Sequence, residues 1–407
     1  MLGTDGKLYV PATALATTTK IGSINKLSGN STDFLDGTNN FQPLANAVQP
    51  TIWSARLRSF NAIGNPTFEV DQRNVGNLLT NPASGTIVVD RWRIGKVGTM
   101  ATQIGQLATN VVLPGTNFYI TSKYLYSNLT TQQPVLGTGD LYQVVQSIEG
   151  PRLRELLGDV HSLSIFASTN VVGGLKFGVT IRDNPVTRCL TKLCTLPLNT
   201  WTLITLPNLP VFASGGNWSI APGALGYEIV ICLAAGSAQT TPANDVWQNG
   251  AFVGAIGQDN FAAKPVNSTF VLFFVQHEPG ALCTTPLDCP FQQNLDDCLR
   301  YFDKSYPYGT AIGAVITNGA ANATFPAGYH PWLYVPFKKT MAKTPTIAGY
   351  SPATGAVNTV RDVTASADKT ITAAVAVGDH SFSGFSISGA NAAAWQGQFH
   401  YTTDTGW

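Results

Sequence analysis

The five histidines, His161, His277, His330, His380 and His400, are the first residues in this chain to test for acid–base or metal chemistry. They are scattered. None stands at metal-ligand spacing from another histidine or a glutamate, and His277 beside Glu278 lacks the HExxH frame that sets two imidazoles on one helical face. No G-x-S-x-G elbow and no phosphate-binding glycine loop occurs. Asp71, Asp90, Glu149 and Asp183 are carboxylates of the type a glycosidase holds at a set separation, but residue type alone assigns no pair. The cysteines (189, 194, 232, 283, 289 and 298) contain no C-x2-C unit, which argues against structural zinc. Cys189 with Cys194, and Cys283 with Cys289, could close loops in an oxidising medium; free thiols in a reducing one is the preferred reading. The expectation is a protein that is not an enzyme and needs no metal or cofactor.

Binding chemistry is better supported. A saccharide offers flat apolar ring faces and many hydroxyls, so a site for it pairs exposed aromatic rings with amides and carboxylates. Trp218 beside Asn217, and Trp247 among Asn244, Asp245, Gln248 and Asn249, fit that recipe. Tyr306 and Tyr350 join them as candidates, with Tyr308 and Trp395 as weaker ones. The competing role for each ring is a core plug or a subunit-interface anchor.

The elements that must position these residues read mainly as β-structure. Charged residues make up only 12% of the chain, against about a quarter in typical globular proteins, and 24 Lys and Arg nearly cancel 23 Asp and Glu. That balance excludes the basic face of a nucleic-acid binder. The longest apolar runs, near 224–235 and 270–275, are far too short to cross a membrane, and the opening MLGTDGKLYVPATALA has no secretory-signal pattern.

Alternation marks strands at Leu163, Ile165 and Ala167, at Leu175–Arg182, and at 201–206, 225–233 and 269–277. Residues 227–233 and 270–275 are apolar on both faces and are expected at doubly covered, central positions. Asp140 with Gln143 resembles a capping box, and Leu141, Val144, Val145 and Ile148 form a stripe, so a helix is expected from 141 until Gly150-Pro151. A second amphipathic helix is expected in FQQNLDDCLRYFDKSYPYG at 291–309. There Leu295, Cys298, Leu299 and Phe302 form the apolar face, Asp296, Asp297 and Arg300 the polar one, and Pro290 the first helical position.

The division that follows is an N-terminal arm (1–60), a jelly-roll or Greek-key β-sandwich (61–290), a helix and linker acting as a hinge (291–309), and a smaller antiparallel β-domain (310–407). In the last, Ile371, Ala373, Val375 and Val377 alternate, as do Phe385 and Ile387. The arm is polar, with apolar residues too scattered for its own core, and is expected to order against partners.

Several stretches carry a family resemblance. CLRYFDKSYPYG resembles the "LCQRYYEKSYP" signature of tail-fibre and receptor-binding proteins of tailed bacteriophages. NPTFEVDQR and VVDRW resemble the opening "NGDFxxWQR…DRW" of the carbohydrate-binding-like jelly roll in those proteins, with Asp71 where tryptophan is usual. The segment from FPAGYHPWLYVPF to HYTTDTGW resembles their C-terminal domain, and FLDGTNNF resembles their N-terminal linkers. The resemblance implies a virion protein assembled in the host cytoplasm, docked to other virion proteins through residues 1–60. It also implies a homotrimer with Trp407 near the three-fold axis, and host cell-surface polysaccharide as the bound partner. A purely structural head-decoration or collar protein and a polysaccharide depolymerase are the alternatives.

Overall fold

The computed structural model describes residues 33–35, 41–43, 60–112, 119–286, 289–389 and 393–407. The chain divides between Arg56 and Leu57. In the first unit, Asp33–Leu35 pairs antiparallel with Phe41–Pro43, placing Leu35 opposite Phe41. The rest of the expected docking arm lies outside the described residues.

In the second unit the protein is mainly β. One seven-stranded antiparallel sheet runs in the order Trp247–Asn249, Arg188–Leu196, Leu175–Arg182, Leu225–Ala235, Leu141–Glu149, Trp92–Val97, Ile87–Val89. A six-stranded sheet faces it, ordered Thr202–Leu209, His161–Thr169, Thr269–Pro279, Tyr119–Thr131, Ala101–Val112, Leu79–Thr80. Side-chain alternation explains how the two close on each other. Leu163, Ile165 and Ala167 point into the shared core with Trp92, Phe177, Ile229, Ile231 and Leu272. Phe166 and Phe273 turn to the outer side of the six-stranded sheet, and Val145, Val230 and Cys232 to the outer side of the other. Leu225–Ala235 and Thr269–Pro279 are therefore covered on both faces and central, as their continuous apolar runs require.

The expected helix at 141–149 is a strand. Leu141–Glu149 is bonded to Leu225–Ala235 on one side and Trp92–Val97 on the other, and only its first residue is not buried. A fully buried strand has no polar face, so its apolar residues also satisfy a helical stripe. Asp140 instead accepts from the Gly137 backbone N–H at 2.7 Å in the preceding turn. The helix that does form is short, Gly150–Arg154, with proline in its first turn. Cys189 and Cys194 lie on one strand, Arg188–Leu196, rather than closing a hairpin, and all six cysteines are free thiols.

The C-terminal sheet is assembled on one long strand, Trp395–Asp404, which pairs with Phe302–Lys304, Ala321–Phe325, Thr346–Tyr350 and Thr359–Asp362. Ala367–Ala374 and Phe385–Ile387 extend it. Its core is Phe325, Val335, Phe337, Met341, Val360, Phe382, Phe385, Ile387, Trp395 and Phe399. The expected strand through Val375 and Val377 stops at Ala374.

The helix Phe291–Leu299 forms and buries Cys298 and Leu299, but it ends before Phe302, expected on its apolar face, which instead begins the strand Phe302–Lys304; Pro290 is its N-cap and not its first residue. The segment after it is bonded to both neighbouring sheets. Arg300 grips Glu149 through two nitrogens at 2.8 and 2.6 Å, and the Tyr301 hydroxyl donates to the same carboxylate at 2.8 Å. The Arg91 guanidinium lies 3.5 Å from the centroid of the Tyr301 ring. Arg73 bridges Asp90 of the sandwich and Asp404 of the C-terminal sheet while covering Phe302. Buried Lys304 donates to the Gln72 and Thr310 carbonyls at 2.7 and 2.6 Å, and burial pulls its amine down to about 8. Segments 65–73 and 298–309 thus meet in one polar joint between the sandwich and the C-terminal sheet.

Candidate functional site

That joint frames a cleft of about 380 Å³ lined by Glu69, Asp71, Val75, Gly76, Gln106, Lys123, Phe291 and Tyr308. The volume falls near the lower end of the roughly 300–1,000 Å³ of small-molecule sites. Two neighbouring strands, Ala101–Val112 and Tyr119–Thr131, supply Gln106 and Lys123. Gln106 is fixed by donating to the Phe68 carbonyl at 2.6 Å.

Phe291, the first helical residue, and Tyr308 line the same cleft, ring centroids 5.2 Å apart and nearly perpendicular. They are 42% and 37% exposed, so both rings remain presented to solvent. The Tyr308 hydroxyl accepts from the Asp71 backbone N–H and donates to the Glu69 carbonyl, each at 3.2 Å. Burial pushes that phenol up to about 12, so it stays a neutral hydroxyl. Asn294, one turn along the helix, donates to the Glu69 carboxylate at 3.3 Å.

Asp71 closes a turn by accepting from the backbone N–H groups of Asn74 and Gly76, at 3.1 and 2.9 Å. Burial and the nearby charge of Asp90 push its carboxyl up to about 6, outweighing those two donors and Arg73. The backbone on either side is strained. Phe68 has φ 58° and Val75 has φ 54°, a left-handed region that bulky and β-branched residues rarely enter. Strain of this kind survives only where the surroundings impose it, and it concentrates at binding sites.

The residues singled out from the sequence fall into two other places. Trp218 and Trp247 do come together, edge to face at 5.5 Å, and both pack on Phe212. Their indole N–H groups are spent on the Ala213 and Val211 carbonyls at 2.7 and 2.9 Å. Asn217 is tied to Pro185 and Thr187, and Asn249 to Arg188. The pair therefore acts first as a plug at the sandwich edge. Tyr306 is buried, stacked on His400 at 3.8 Å, with Tyr350 at 6.2 Å from it. Trp395 is core. Trp407 packs on Tyr301 and under Lys343 of its own chain.

Two histidines, separated by more than 100 residues, also meet. Tyr227 and His277 share a 2.6 Å hydrogen bond and His277 and His161 one of 2.8 Å, all fully buried. Burial takes His161 down to about 4 and His277 well below its ordinary range. This chain is part of the core under Phe212, and no group of three metal-ligating side chains occurs among the described residues.

All four carboxylates named from sequence are engaged structurally: Asp71 with the 74 and 76 backbone, Asp90 with Arg73, Glu149 with Arg300 and Tyr301, and Asp183 with the 187–188 backbone and Asn217. Of these four, Asp71 is the one that also lines the cleft. Phe291, Glu69, Gln106 and Lys123 were not identified from sequence, because they lie on segments as far as 220 residues apart with no local motif joining them. No helix among the described residues is long and apolar enough to cross a membrane.

No protein-family model and no curated protein matches this chain. Solved structures that resemble it include a family 11 carbohydrate-binding module from Clostridium thermocellum in complex with a mixed-linked tetrasaccharide. It shares 13% identity over 50% of this chain and 98% of its own, at TM-score 0.26. Another is the carbohydrate-binding and catalytic modules of a Clostridium thermocellum xylanase complexed with xylohexaose, with 12% identity over 56% of this chain and 30% of that one, at 0.26. A third is a xylan-binding domain from Paenibacillus barcinonensis, with 12% identity over 51% and 97%, at 0.23. Likeness at this level stops short of assigning a ligand or a role to any residue here.

Proposed function

We propose that this chain binds saccharides without transforming them, through the cleft at the joint, and serves as a bacteriophage virion fibre that holds host surface polysaccharide. The observation that carries the binding part is the partly exposed Phe291–Tyr308 pair lining the same cleft as Glu69, Asp71, Gln106 and Lys123. Aromatic rings beside amide, carboxylate and ammonium groups suit the apolar faces and the hydroxyls of a sugar. The virion part is supported by the sequence resemblance, whose two central stretches pack against each other as one joint. Docking through residues 1–60 and a trimeric state belong to the same reading.

The test is a panel of immobilised glycans and bacterial surface polysaccharides probed with the purified chain. Retention of at least one glycan, weakened in Tyr308→Ala, supports the reading. Absence of retention across the panel favours a structural decoration role instead.

One observation favours hydrolysis as a second reading: Glu69 and Asp71 line the same cleft, and Asp71 is held up to about 6, as a general acid needs. Release of reducing ends, abolished by Asp71→Asn, would establish that reading over simple binding.

A further inference from the structure

Segment 329–337, YHPWLYVPF, bears no charged residue. It runs with a period of two: Pro331, Val335 and Phe337 are buried and Leu333 is half-buried, while Trp332 and Tyr334 face outward. Tyr329, Trp332 and Tyr334 are 59%, 57% and 63% exposed, unusual for large rings so close together. The ribbon is fixed from below. The Trp395 indole donates to the Tyr329 carbonyl at 3.2 Å, and the Phe385 N–H donates to that of Pro331 at 3.3 Å. The Ile387 N–H donates to His330 Nδ1 at 3.1 Å, and the His330 ring lies nearly parallel to Trp332 at 5.9 Å.

We propose that Tyr329, Trp332 and Tyr334 form a second saccharide-binding platform on the C-terminal module, resting on the reading above that the chain binds saccharides. Area and charge select the occupant. Three aromatic side chains of about 150–250 Å² each, little more than half exposed, offer about 250–450 Å². A stable protein partner needs about 800 Å² per side, whereas a few sugar rings need less. The nearest cations along the chain, Lys338 and Lys339, are neutralised by Asp303 and Asp296, which disfavours an anionic membrane. The backbone that carries the rings is tied down at Tyr329 and Pro331, and Trp332 lies beside the anchored His330 ring, so less ordering is lost on binding.

The test is affinity electrophoresis of the full chain through gels containing dextran, mixed-linked β-glucan, xylan or mannan, comparing wild type, Trp332→Ala/Tyr334→Ala and Phe291→Ala. The expected result is retardation of the wild type by at least one polymer and a threefold or greater loss of apparent affinity in the double variant. Trp332→Tyr, which keeps a ring, should restore most of it, and Phe291→Ala should retain part. Unchanged retardation in the double variant while Phe291→Ala loses all of it overturns the platform but keeps the cleft. No retardation of the wild type by any polymer overturns both. Self-association in sedimentation, or flotation with phosphatidylcholine–phosphatidylglycerol vesicles, that is lost in the double variant overturns the platform by assigning these rings another occupant.

Discussion

Asp71 sets up a prediction whose sign and size follow from the structure. Its carboxyl is raised to about 6 in the folded chain, against about 3.9 unfolded. Its stabilising contribution is therefore complete below the unfolded value and lost as pH rises through 6. Lowering pH from 7 to 5 returns about 1.4 kcal/mol through this one group. His161 has the opposite sign. Lowered to about 4 from an ordinary 6.5, it leaves stability intact above 6.5 and costs about 2 kcal/mol by pH 5, with His277 acting in the same direction. Wild type should lose stability between pH 7 and 5 while Asp71 offsets part of the loss. Asp71→Asn removes the offset, so urea unfolding at the two pH values should show the variant losing about 1.4 kcal/mol more than wild type over that span. The comparison cancels whatever the substitution costs at both pH values. Equal losses in the two proteins would refute the assignment of a raised Asp71 and the cleft electrostatics built on it.

Other expectations concern the joint and the tryptophan pair. Arg300→Met leaves Glu149 buried without its main counter-charge and should cost about 3 kcal/mol in urea unfolding. Trp218→Ala removes a ring packed on Phe212 and Trp247 and should lower stability by about 3 kcal/mol, with glycan retention unchanged in the remaining folded protein. Asp404→Asn, which weakens the Arg73 bridge at a partly exposed end, should cost only about 1 kcal/mol, measured the same way.

Legibility from sequence tracked how local each signal was. Leu225–Ala235 and Thr269–Pro279 announced themselves as central strands because continuous apolar runs have few other destinations. The helix Phe291–Leu299 was legible from its stripe and proline. Leu141–Glu149 was not, since a strand buried on both faces shows no alternation to distinguish it from a helix. Trp218 and Trp247 were found by residue type, but nothing in the sequence shows that carbonyls of 211 and 213 occupy their N–H groups. The cleft was hidden because strands near 106 and 123, a strained turn at 68–76 and a helix at 291 meet only in three dimensions. The outward pair Trp332 and Tyr334 does leave a signal, the strict alternation of PWLYVPF.

Titration calorimetry of wild type and Phe291→Ala/Tyr308→Ala, each with the saccharide best retained by the wild type, probes the cleft most directly. Each ring is expected to contribute at least about 1 kcal/mol, so the double variant should bind at least about 30-fold more weakly with its folding cooperativity intact. An affinity within twofold of wild type would contradict the assignment of that cleft as the site.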